Sequence, residues 1–269
     1  MLLTEKVAAL EVCGKLKQGE LILIKDENTQ HVKWLGKNYP LINGKALLAV
    51  PRNAAKHIEL VTFSNTNAEK FYNLPIIATK WDIQHIKGVA KHHVTPSKQH
   101  QQDIAREQQD VKKALADNTT ANFWSEDFIE PVKGRISGNF GNQRVFNGVP
   151  KNSHNGTDIA APEGTEVRAA GSGIIVLSNQ NYFFSGNMVI INHGQGLKTI
   201  YAHLQKTIVK QGDRVQKGDV IGYVGKTGRA TGAHLHWGAS LYETRFRPHA
   251  LLDIYNSSCQ LLKAKDKGE

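Results

Sequence analysis

Gly232-Ala-His-Leu-His-Trp-Gly238 is a short apolar stretch that contains two histidines and has glycine at both ends. Because side chains alternate between the faces of a β-strand, His234 and His236 are expected on the same face of one strand. Imidazoles in an apolar strand need polar partners, since burying an unpaired polar group costs free energy. A metal ion is one such partner and a hydrogen bond within the core is another, so both interpretations stay open at this point.

Two further stretches contain histidines in comparable settings. His154-Asn-Gly-Thr-Asp158 places an imidazole and a carboxylate four residues apart, and Tyr201-Ala-His-Leu204 contributes His203. A helix would put His154 and Asp158 on one face, but the intervening Asn155 and Gly156 favour a turn that leads into a strand. We interpret His193, in Asn192-His-Gly194, as a structural turn residue at a strand end. The remaining histidines have no partner pattern, and we assign them no functional role: His31, His57, His85, His92, His93, His100 and His249.

This set of residues has the composition of a catalytic zinc site. Zinc prefers nitrogen, sulfur or carboxylate ligands in a tetrahedron, and catalytic sites keep one position for water. The sequence has no H-E-x-x-H motif, so no glutamate occupies the usual general-base position of a metalloprotease. We therefore expect a histidine to act as the general base, which its near-neutral intrinsic pKa permits.

The flanking sequence predicts strands in both halves of the chain. In the C-terminal half, Ile174-Ile-Val-Leu177 and Met188-Val-Ile-Ile191 are typical of buried strands, and Gly-Asp turns recur between residues 209 and 221. In the N-terminal half, strands are predicted at residues 21–24, 46–50, 58–63 and 75–79. Between the halves, Ile104, Val111 and Leu115 recur at helical spacing and predict a connecting helix within residues 97–118.

Composition limits the class of protein. The chain has 269 residues, a net charge of +10, 40% hydrophobic residues and 22% charged residues, as in soluble globular proteins of about two domains. The positive charge is dispersed and accompanies no nucleic-acid-binding motif, so we interpret it as a solvated basic surface or as steering toward an anionic polymer. Two cysteines, Cys13 and Cys259, allow one disulfide bond, and the sequence does not decide whether it forms.

No stretch approaches 18 apolar residues, so no transmembrane segment is expected. The start of the chain, Met1-Leu-Leu-Thr-Glu-Lys6, carries charge where a signal peptide needs an apolar core. Either the protein is cytoplasmic or an export segment is missing from this sequence, and the motifs favour the second interpretation.

The motifs together resemble the lysostaphin-type (LytM-like) zinc metallopeptidases, which cleave peptidoglycan peptides. The resemblance covers roughly residues 130–253. It rests on Gly134-Arg-Ile-Ser-Gly-Asn-Phe-Gly141, His154-Asn-Gly-Thr-Asp158, Tyr201-Ala-His-Leu204, Gly218-Asp-Val-Ile-Gly222 and Gly232-Ala-His-Leu-His-Trp237. So many motifs in the same order make a chance match very improbable.

The resemblance implies a role for five residues. It implies one Zn²⁺ per chain, held by His154, Asp158 and His236, with His203 and His234 as the catalytic histidines. The stretch Arg144-Val-Phe-Asn-Gly-Val-Pro-Lys-Asn-Ser153 is longer than in the simplest members of the family. This stretch, which begins at Arg144, is a candidate wall of the substrate groove. A second loop, Tyr182, Phe183 and Phe184, is another candidate for contact with substrate, and ordinary loop packing is the alternative for both.

The resemblance also implies an architecture and a cellular role. We expect an all-β fold with a small N-terminal β domain at residues 1–96, which positions substrate or blocks the site. A helical linker at 97–121, an antiparallel β-sheet peptidase domain at 122–257 and a tail at 258–269 are expected to follow. The implied function is D,D-endopeptidase cleavage of peptidoglycan cross-links by a periplasmic or cell-envelope monomer. D,D-carboxypeptidase trimming and metal-free activation of a cell-wall amidase are the alternatives.

Overall fold

The computed structural model describes residues 10–66, 68–119 and 121–264. The strands are Leu10–Gly14 (β1), Leu21–Lys25 (β2), Thr29–Trp34 (β3), Lys37–Pro40 (β4), Lys45–Ala49 (β5), His57–Ser64 (β6), Glu69–Pro75 (β7), Ile83–Ile86 (β8), Arg135–Gly138 (β9), Gln143–Phe146 (β10), Val149–Ser153 (β11), Gly156–Ala160 (β12), Glu166–Arg168 (β13), Gly173–Tyr182 (β14), Gly186–Gly194 (β15), Leu197–Thr207 (β16), Arg214–Val215 (β17), Val220–Val224 (β18), His234–Leu241 (β19), Thr244–Phe246 (β20) and Cys259–Leu262 (β21). The helices are Lys91–Val94 (α1), Gln101–Ala116 (α2) and Ala250–Asp253 (α3), and short 3₁₀ turns lie at Lys98–His100 and Ile254–Asn256. The predicted fold class, all-β with one connecting helix, is confirmed.

The chain forms two compact units, one of residues up to Thr79 together with residues from Asp253 onward, the other of Lys80–Leu252. This division differs from the predicted boundaries at residues 96, 121 and 257, which remain a prediction. Residues 80–96 and helix α2 belong to the second unit, and the predicted tail supplies strand β21 to the first. The charged start at Met1–Lys6 and residues 265–269 lie outside the described residues.

The first unit contains two antiparallel four-stranded sheets, ordered β21-β1-β2-β5 and β4-β3-β6-β7. Strand β2 is Leu-Ile-Leu-Ile-Lys, and its four apolar side chains are all buried, as a central strand covered on both faces requires. The indole nitrogen of Trp34 on β3 donates to the carbonyl oxygen of Ala49 on β5 at 2.9 Å, which joins the two sheets.

The strand predicted at residues 75–79 is wrong. Strand β7 ends at Pro75, and Ile77 forms only an isolated bridge with Lys17. A β-rich composition predicts a strand here, but the backbone N–H of Ile76 donates to the carbonyl oxygen of Lys56 at 2.7 Å and that of Ile77 to the carbonyl oxygen of Leu16 at 2.8 Å, so the chain leaves the β6 ladder after Pro75. The side chain of Ile77 is 63% exposed, so burial does not favour a strand at this point either.

A disulfide bond joins Cys13 on β1 to Cys259 on β21, where the two residues lie directly opposite each other in the antiparallel ladder. The bond closes a loop with a sequence separation of 246 residues, which strongly restricts the unfolded chain. It therefore ties the beginning and the end of the described chain into one sheet.

We predict that replacing both Cys13 and Cys259 by serine lowers the free energy of unfolding by about 2–5 kcal/mol, because the unfolded chain regains the entropy of the open loop. Urea unfolding followed by tryptophan fluorescence measures this change, since Trp34 lies in the same unit. An unchanged midpoint, together with two thiols that react in the native wild-type chain, would contradict the prediction.

The second unit is built on a ten-stranded sheet with the main path β17-β14-β15-β16-β19-β12-β9. All nine residues of β15 are buried, and helix α2 covers part of this sheet through Val111, Ala114 and Leu115. The predicted helix within residues 97–118 is thus confirmed, with Val111 and Leu115 on its packed face and Ile104 half-buried. A smaller sheet, β11-β10-β8, adds a parallel pairing between β8 and β10.

None of the helices in the described part of the chain has both the length and the apolar character that a membrane-spanning helix needs.

Candidate metal centre and active site

Strand pairing brings the predicted site residues into one row. Asp158 on β12 lies opposite His236 on β19, and His236 lies opposite Ala202 on β16. Side chains directly opposite each other on adjacent strands have Cβ atoms about 5 Å apart, so this register holds Asp158 and His236 together. His154 comes from the turn between β11 and β12, as the sequence predicted. His234 is the first residue of β19.

Three polar atoms converge at the centre of this row. His154 Nε2 lies 3.1 Å from Asp158 Oδ1 and 3.0 Å from His236 Nδ1. His236 Nδ1 lies 2.9 Å from Asp158 Oδ1. All three residues are buried, with at most 9% of each exposed. Ligands of a tetrahedral ion with bonds of about 2.0–2.1 Å are about 3.4 Å apart, so a shift of a few tenths of an ångström fits this donor set to a divalent metal.

The surroundings fix which nitrogen of His154 faces the metal position. His154 Nδ1 lies 3.0 Å from the carbonyl oxygen of Asn139. A carbonyl oxygen only accepts, so Nδ1 carries the proton and Nε2 presents a lone pair. Arg144 Nη2 donates a hydrogen bond to the second carboxylate oxygen of Asp158, and the two side chains form an ion pair. These outer contacts orient the ligands, as is usual for metal centres.

Burial controls the protonation of the ligands. It lowers the pKa of His236 to about 4, with Asp158 opposing that shift, and it lowers the pKa of His154 as well. Burial alone would raise the pKa of Asp158, but His154, the hydrogen bond from His236 and the charge of Arg144 hold that pKa well below its usual value. The site therefore offers two neutral imidazoles and one carboxylate at neutral pH, which are the forms that bind a metal ion.

A β-bulge places His203 beside this centre. Strand β16 shifts its register against β15 between Tyr201 and Leu204, and His203 takes φ = 63°. The left-handed region is uncommon for residues other than glycine, and bulges recur next to active sites. The backbone N–H of His203 donates to the carbonyl oxygen of Ser185 at 2.9 Å, which holds the bulge in place.

His203 and His234 share one feature of their hydrogen bonding. His203 Nδ1 lies 2.9 Å from the carbonyl oxygen of Thr227, and His234 Nδ1 lies 2.8 Å from the carbonyl oxygen of Gly232. Both Nδ1 atoms must therefore carry a proton, and in the neutral form of each ring the lone pair lies on Nε2. The two ring centroids are 4.8 Å apart, and His234 Nε2 is 3.8 Å from Asp158 Oδ1. Burial lowers the pKa of His203 well below its ordinary value, so this imidazole is neutral at pH 7.

Two glycines allow the centre to form. A Cβ on Gly156 would lie 2.7 Å from His236 Nε2 and 2.6 Å from the carbonyl oxygen of Trp237. A Cβ on Gly138 would lie 2.6 Å from Asp158 Oδ2. Real Cβ atoms almost never approach so closely, so a side chain at either position would displace a candidate ligand.

Residues 152–248 match the model of peptidase family M23. This match agrees with the geometry of the site. The second unit carries an M23 domain. The match confirms the resemblance predicted from the motifs, and it contains His154, Asp158, His203, His234 and His236.

Curated relatives share this domain. Peptidoglycan DD-endopeptidase ShyA of Vibrio cholerae is 45% identical over 106 residues, which cover 39% of this chain and 24% of that protein. DD-carboxypeptidase/endopeptidase Mpg of Neisseria meningitidis is 45% identical over 114 residues, which cover 42% of this chain and 26% of that protein. The aligned part of the chain thus spans about a quarter of the length of these relatives.

A solved structure extends the likeness beyond the M23 domain. A crystal structure of a candidate peptidase M23 from Pseudomonas aeruginosa is similar over 89% of this chain and 96% of that chain. The TM-score is 0.71 and the sequence identity is 25%. The two-unit architecture therefore has a counterpart of nearly the same length.

The predicted groove residues have different positions around the M23 site. Arg144 contacts Asp158, and Phe184 lines a cavity together with His203 and His236. Phe183 instead packs against the rings of His93 and His100, with centroid distances of 4.9 Å and 4.6 Å. Tyr182 lies in the hydrophobic core under helix α2, and its hydroxyl group donates to Asp110 Oδ2 at 2.8 Å. The structure thus brings Arg144 and Phe184 to the site and does not bring Tyr182 there.

Glu107 on helix α2 is a site neighbour that we did not predict. The helix lies outside the matched M23 residues, yet the buried Glu107 carboxylate accepts three hydrogen bonds from the loop before β15. Phe184 N donates to Oε2 at 2.8 Å, and Ser185 N and Oγ donate to Oε1 at 3.0 and 2.6 Å. Ser185 in turn accepts the N–H of His203. The sequence contains one signal for this role. Glu107 is a carboxylate on the same face of the helix as the apolar residues Ile104 and Val111, where a charged side chain needs a partner.

We predict that Glu107→Gln loosens this loop. A glutamine side chain is uncharged and has one acceptor oxygen, so it cannot replace both carboxylate oxygens as acceptors for the backbone N–H groups of Phe184 and Ser185. Hydrogen bonds to a charged group contribute about 1.5–3 kcal/mol, so amide exchange at Phe184 and Ser185 should accelerate by about 10- to 100-fold. Hydrogen exchange read by NMR measures this change. Asp103→Asn, an exposed change on the same helix, is the matched control, and equal protection in both variants would contradict the prediction.

Proposed function

We propose that this protein is a zinc-dependent metalloendopeptidase that hydrolyses peptide cross-links of peptidoglycan. One observation carries the proposal, which is the convergence of His154 Nε2, Asp158 Oδ1 and His236 Nδ1 within 3.1 Å of one another, beside two histidines whose Nδ1 atoms bond to backbone carbonyl groups. The names of ShyA and Mpg support the substrate class, since both describe peptidoglycan peptidases of the DD type.

The residues of the site have two separate roles in hydrolysis, metal binding and activation of water. His154, Asp158 and His236 would hold the metal ion. A bound zinc ion polarises a carbonyl group and lowers the pKa of water, which makes hydroxide available near neutral pH. The Nε2 atoms of His203 and His234 orient the attacking water, and one of them accepts its proton. The water oxygen bonds to the carbonyl carbon, the C–N bond then breaks, and the same proton passes to the leaving amine.

Protonated histidine also stabilises the developing negative charge. Once one imidazole has taken the proton, its Nε2–H is a donor directed at the position where the oxyanion forms. Burial makes that contact stronger than it would be in water. His203 and His234 therefore act in both halves of the reaction, first as acceptors and then as donors.

The disulfide bond supports a location in the cell envelope. Structural disulfides persist in oxidising compartments such as the periplasm and are rare in the cytosol. Cys13 and Cys259 form such a bond within one sheet. We accordingly place the active protein in the periplasm or at the cell envelope, where its proposed substrate lies, and we propose that it acts as a monomer.

Digestion of purified, cross-linked muropeptides tests the proposal. We expect the zinc-loaded chain to convert cross-linked dimers into monomers by cutting between D-alanine and the neighbouring diamino acid, and mass spectrometry identifies the products. Loss of a single terminal D-alanine from monomeric stems would instead assign carboxypeptidase activity. Intact dimers, combined with stimulation of a separate amidase, would contradict the enzyme proposal.

A further inference from the structure

Arg229 lines cavities next to the candidate metal centre, and its side chain is held by aromatic rings. Its guanidinium carbon lies 4.8 Å from the ring centroid of Phe146 and 4.4 Å from that of Phe184, so two aromatic rings hold the cation in place. The Arg229 backbone N–H donates to the carbonyl oxygen of Phe184 at 2.9 Å, which fixes the base of the side chain. The guanidinium group is therefore fixed by packing rather than by an ion pair.

The N–H groups of this guanidinium group have no acceptor among the side chains of the described residues. Within residues 10–66, 68–119 and 121–264, no side chain forms a hydrogen bond or ion pair with the Arg229 guanidinium group. The nearby carboxylate of Glu107 already accepts bonds from the loop at Phe184 and Ser185. Burial lowers the pKa of Arg229 to about 10, with the charge of Arg144 adding to the effect, so Arg229 remains a cation at neutral pH.

Arg229 lines three adjoining cavities, each of which also reaches a residue of the metal centre. The first contains His203 and His236, the second Asp158 and His234, and the third His154. One extended ligand could therefore contact Arg229 and the candidate metal position together. This placement makes Arg229 part of the substrate groove rather than a surface charge.

The described side chains that line the third cavity include several positive charges and no negative charge. It measures about 580 Å³ and is lined by Arg144, Lys151 and Arg229, together with neutral polar groups such as Asn152 and Asn155. No aspartate or glutamate is among the described residues that line it. Arg144 Nε is buried and has no hydrogen-bond partner in the described structure, so a second guanidinium group also has an unused donor here. The charge of Arg144 acts on Arg229, so an anion bound beside both groups would interact favourably with them.

We propose that Arg229 binds a free carboxylate group of the peptide substrate, beside the bond to be cut. This inference rests on the proposed function and specifies its substrate class, which is an anionic peptide. Arginine is suited to the task because its planar fork pairs with a carboxylate through two parallel hydrogen bonds. The carboxylate group is either the C-terminus of the peptide or a side-chain carboxylate within the stem.

Peptide binding tests the proposal without depending on turnover. Isothermal titration of the full chain uses three forms of a stem peptide that lacks the scissile bond, namely the free acid, the C-terminal amide and the side-chain amide. We expect one amide to bind at least about tenfold more weakly than the free acid, equivalent to about 1.4 kcal/mol. The same difference should persist in chelator, which excludes a bound metal ion as its cause. Equal affinities for all three peptides in the wild-type chain would overturn the proposal.

Variants identify the residue responsible. In Arg229→Gln the free acid should bind as weakly as the amide, whereas the amide should keep its wild-type affinity. Arg168→Gln removes an exposed arginine that pairs with Glu166 elsewhere in the M23 domain, and it should leave the discrimination unchanged. Discrimination that survives in Arg229→Gln would overturn the proposal, and the wild-type comparison stands even where a variant folds poorly.

The outcomes separate this inference from the proposed function. A chain that discriminates between the peptides but cleaves no muropeptide would refute the peptidase proposal alone. A chain that cleaves free-acid and amidated dimers at equal rates would refute the carboxylate subsite alone.

Discussion

His203→Ala is expected to lower kcat on a cross-linked muropeptide by about 10²- to 10⁴-fold, the range over which positioned acid–base groups contribute. The reason lies in the geometry of the imidazole, whose Nδ1 donates to the carbonyl oxygen of Thr227 and whose ring lies beside the candidate ligand His236. Metal content should stay near that of the wild-type chain, because His203 is not among the three converging atoms.

The positive φ of His203 requires a second variant. Alanine is strained at φ = 63°, whereas asparagine tolerates this region better. Equal losses of kcat in His203→Ala and His203→Asn, with thermal midpoints near that of the wild type, would show that the missing imidazole causes the defect. Turnover at the wild-type rate in either variant would contradict the assigned role.

His154→Ala is expected to weaken zinc affinity by more than about 100-fold, since even partners of metal ligands contribute 10- to 100-fold. The change removes one of three donor atoms and leaves Asp158 with His236 and Arg144. Peptidase activity should fall to background at zinc concentrations that saturate the wild-type chain. Competition with a chromophoric chelator measures the affinity directly.

A matched histidine provides the control for this experiment. His85→Ala removes an exposed imidazole from the same unit, and its zinc affinity should equal that of the wild-type chain. If His154→Ala bound zinc as tightly as His85→Ala, the metal would have to lie elsewhere in the protein.

The local structure around the site residues could be predicted from short-range signals. The spacing of His234 and His236 placed both on one strand, and Asn155 with Gly156 indicated the turn before Asp158. The order of the motifs then indicated which residues meet, and strand register brings Asp158 opposite His236. Spacing alone left hydrogen-bonded core histidines as an alternative, and the resemblance to the lysostaphin-type peptidases was needed to assign these residues to one metal site.

Other parts of the site depend on contacts that no local pattern encodes. The bulge at His203 needs the carbonyl oxygens of Ser185 and Thr227 as acceptors for its N–H groups. The position of Arg229 depends on Phe146, a residue more than eighty positions away in the sequence. Tyr182 was expected in the groove, but its ring is buried under helix α2. Each of these features follows from tertiary packing.

The N-terminal strands illustrate the same limit. Residues 21–24 were predictable because four apolar residues in succession require burial on both faces. Residues 75–79 were not, because β propensity does not register that the chain leaves β6 after Pro75 and that Ile77 bonds to Leu16 instead. Strand β21 was predicted as tail, and its pairing with β1 depends on a partner near the other end of the chain.

Anomalous diffraction at the zinc edge, from crystals of the purified chain, tests the metal centre most directly. The geometry predicts a single strong peak about 2.0–2.1 Å from His154 Nε2, Asp158 Oδ1 and His236 Nδ1, with the fourth position open toward His203 and His234. A zinc peak bound by other residues, or crystals grown in zinc that show none between these three atoms, would contradict the account.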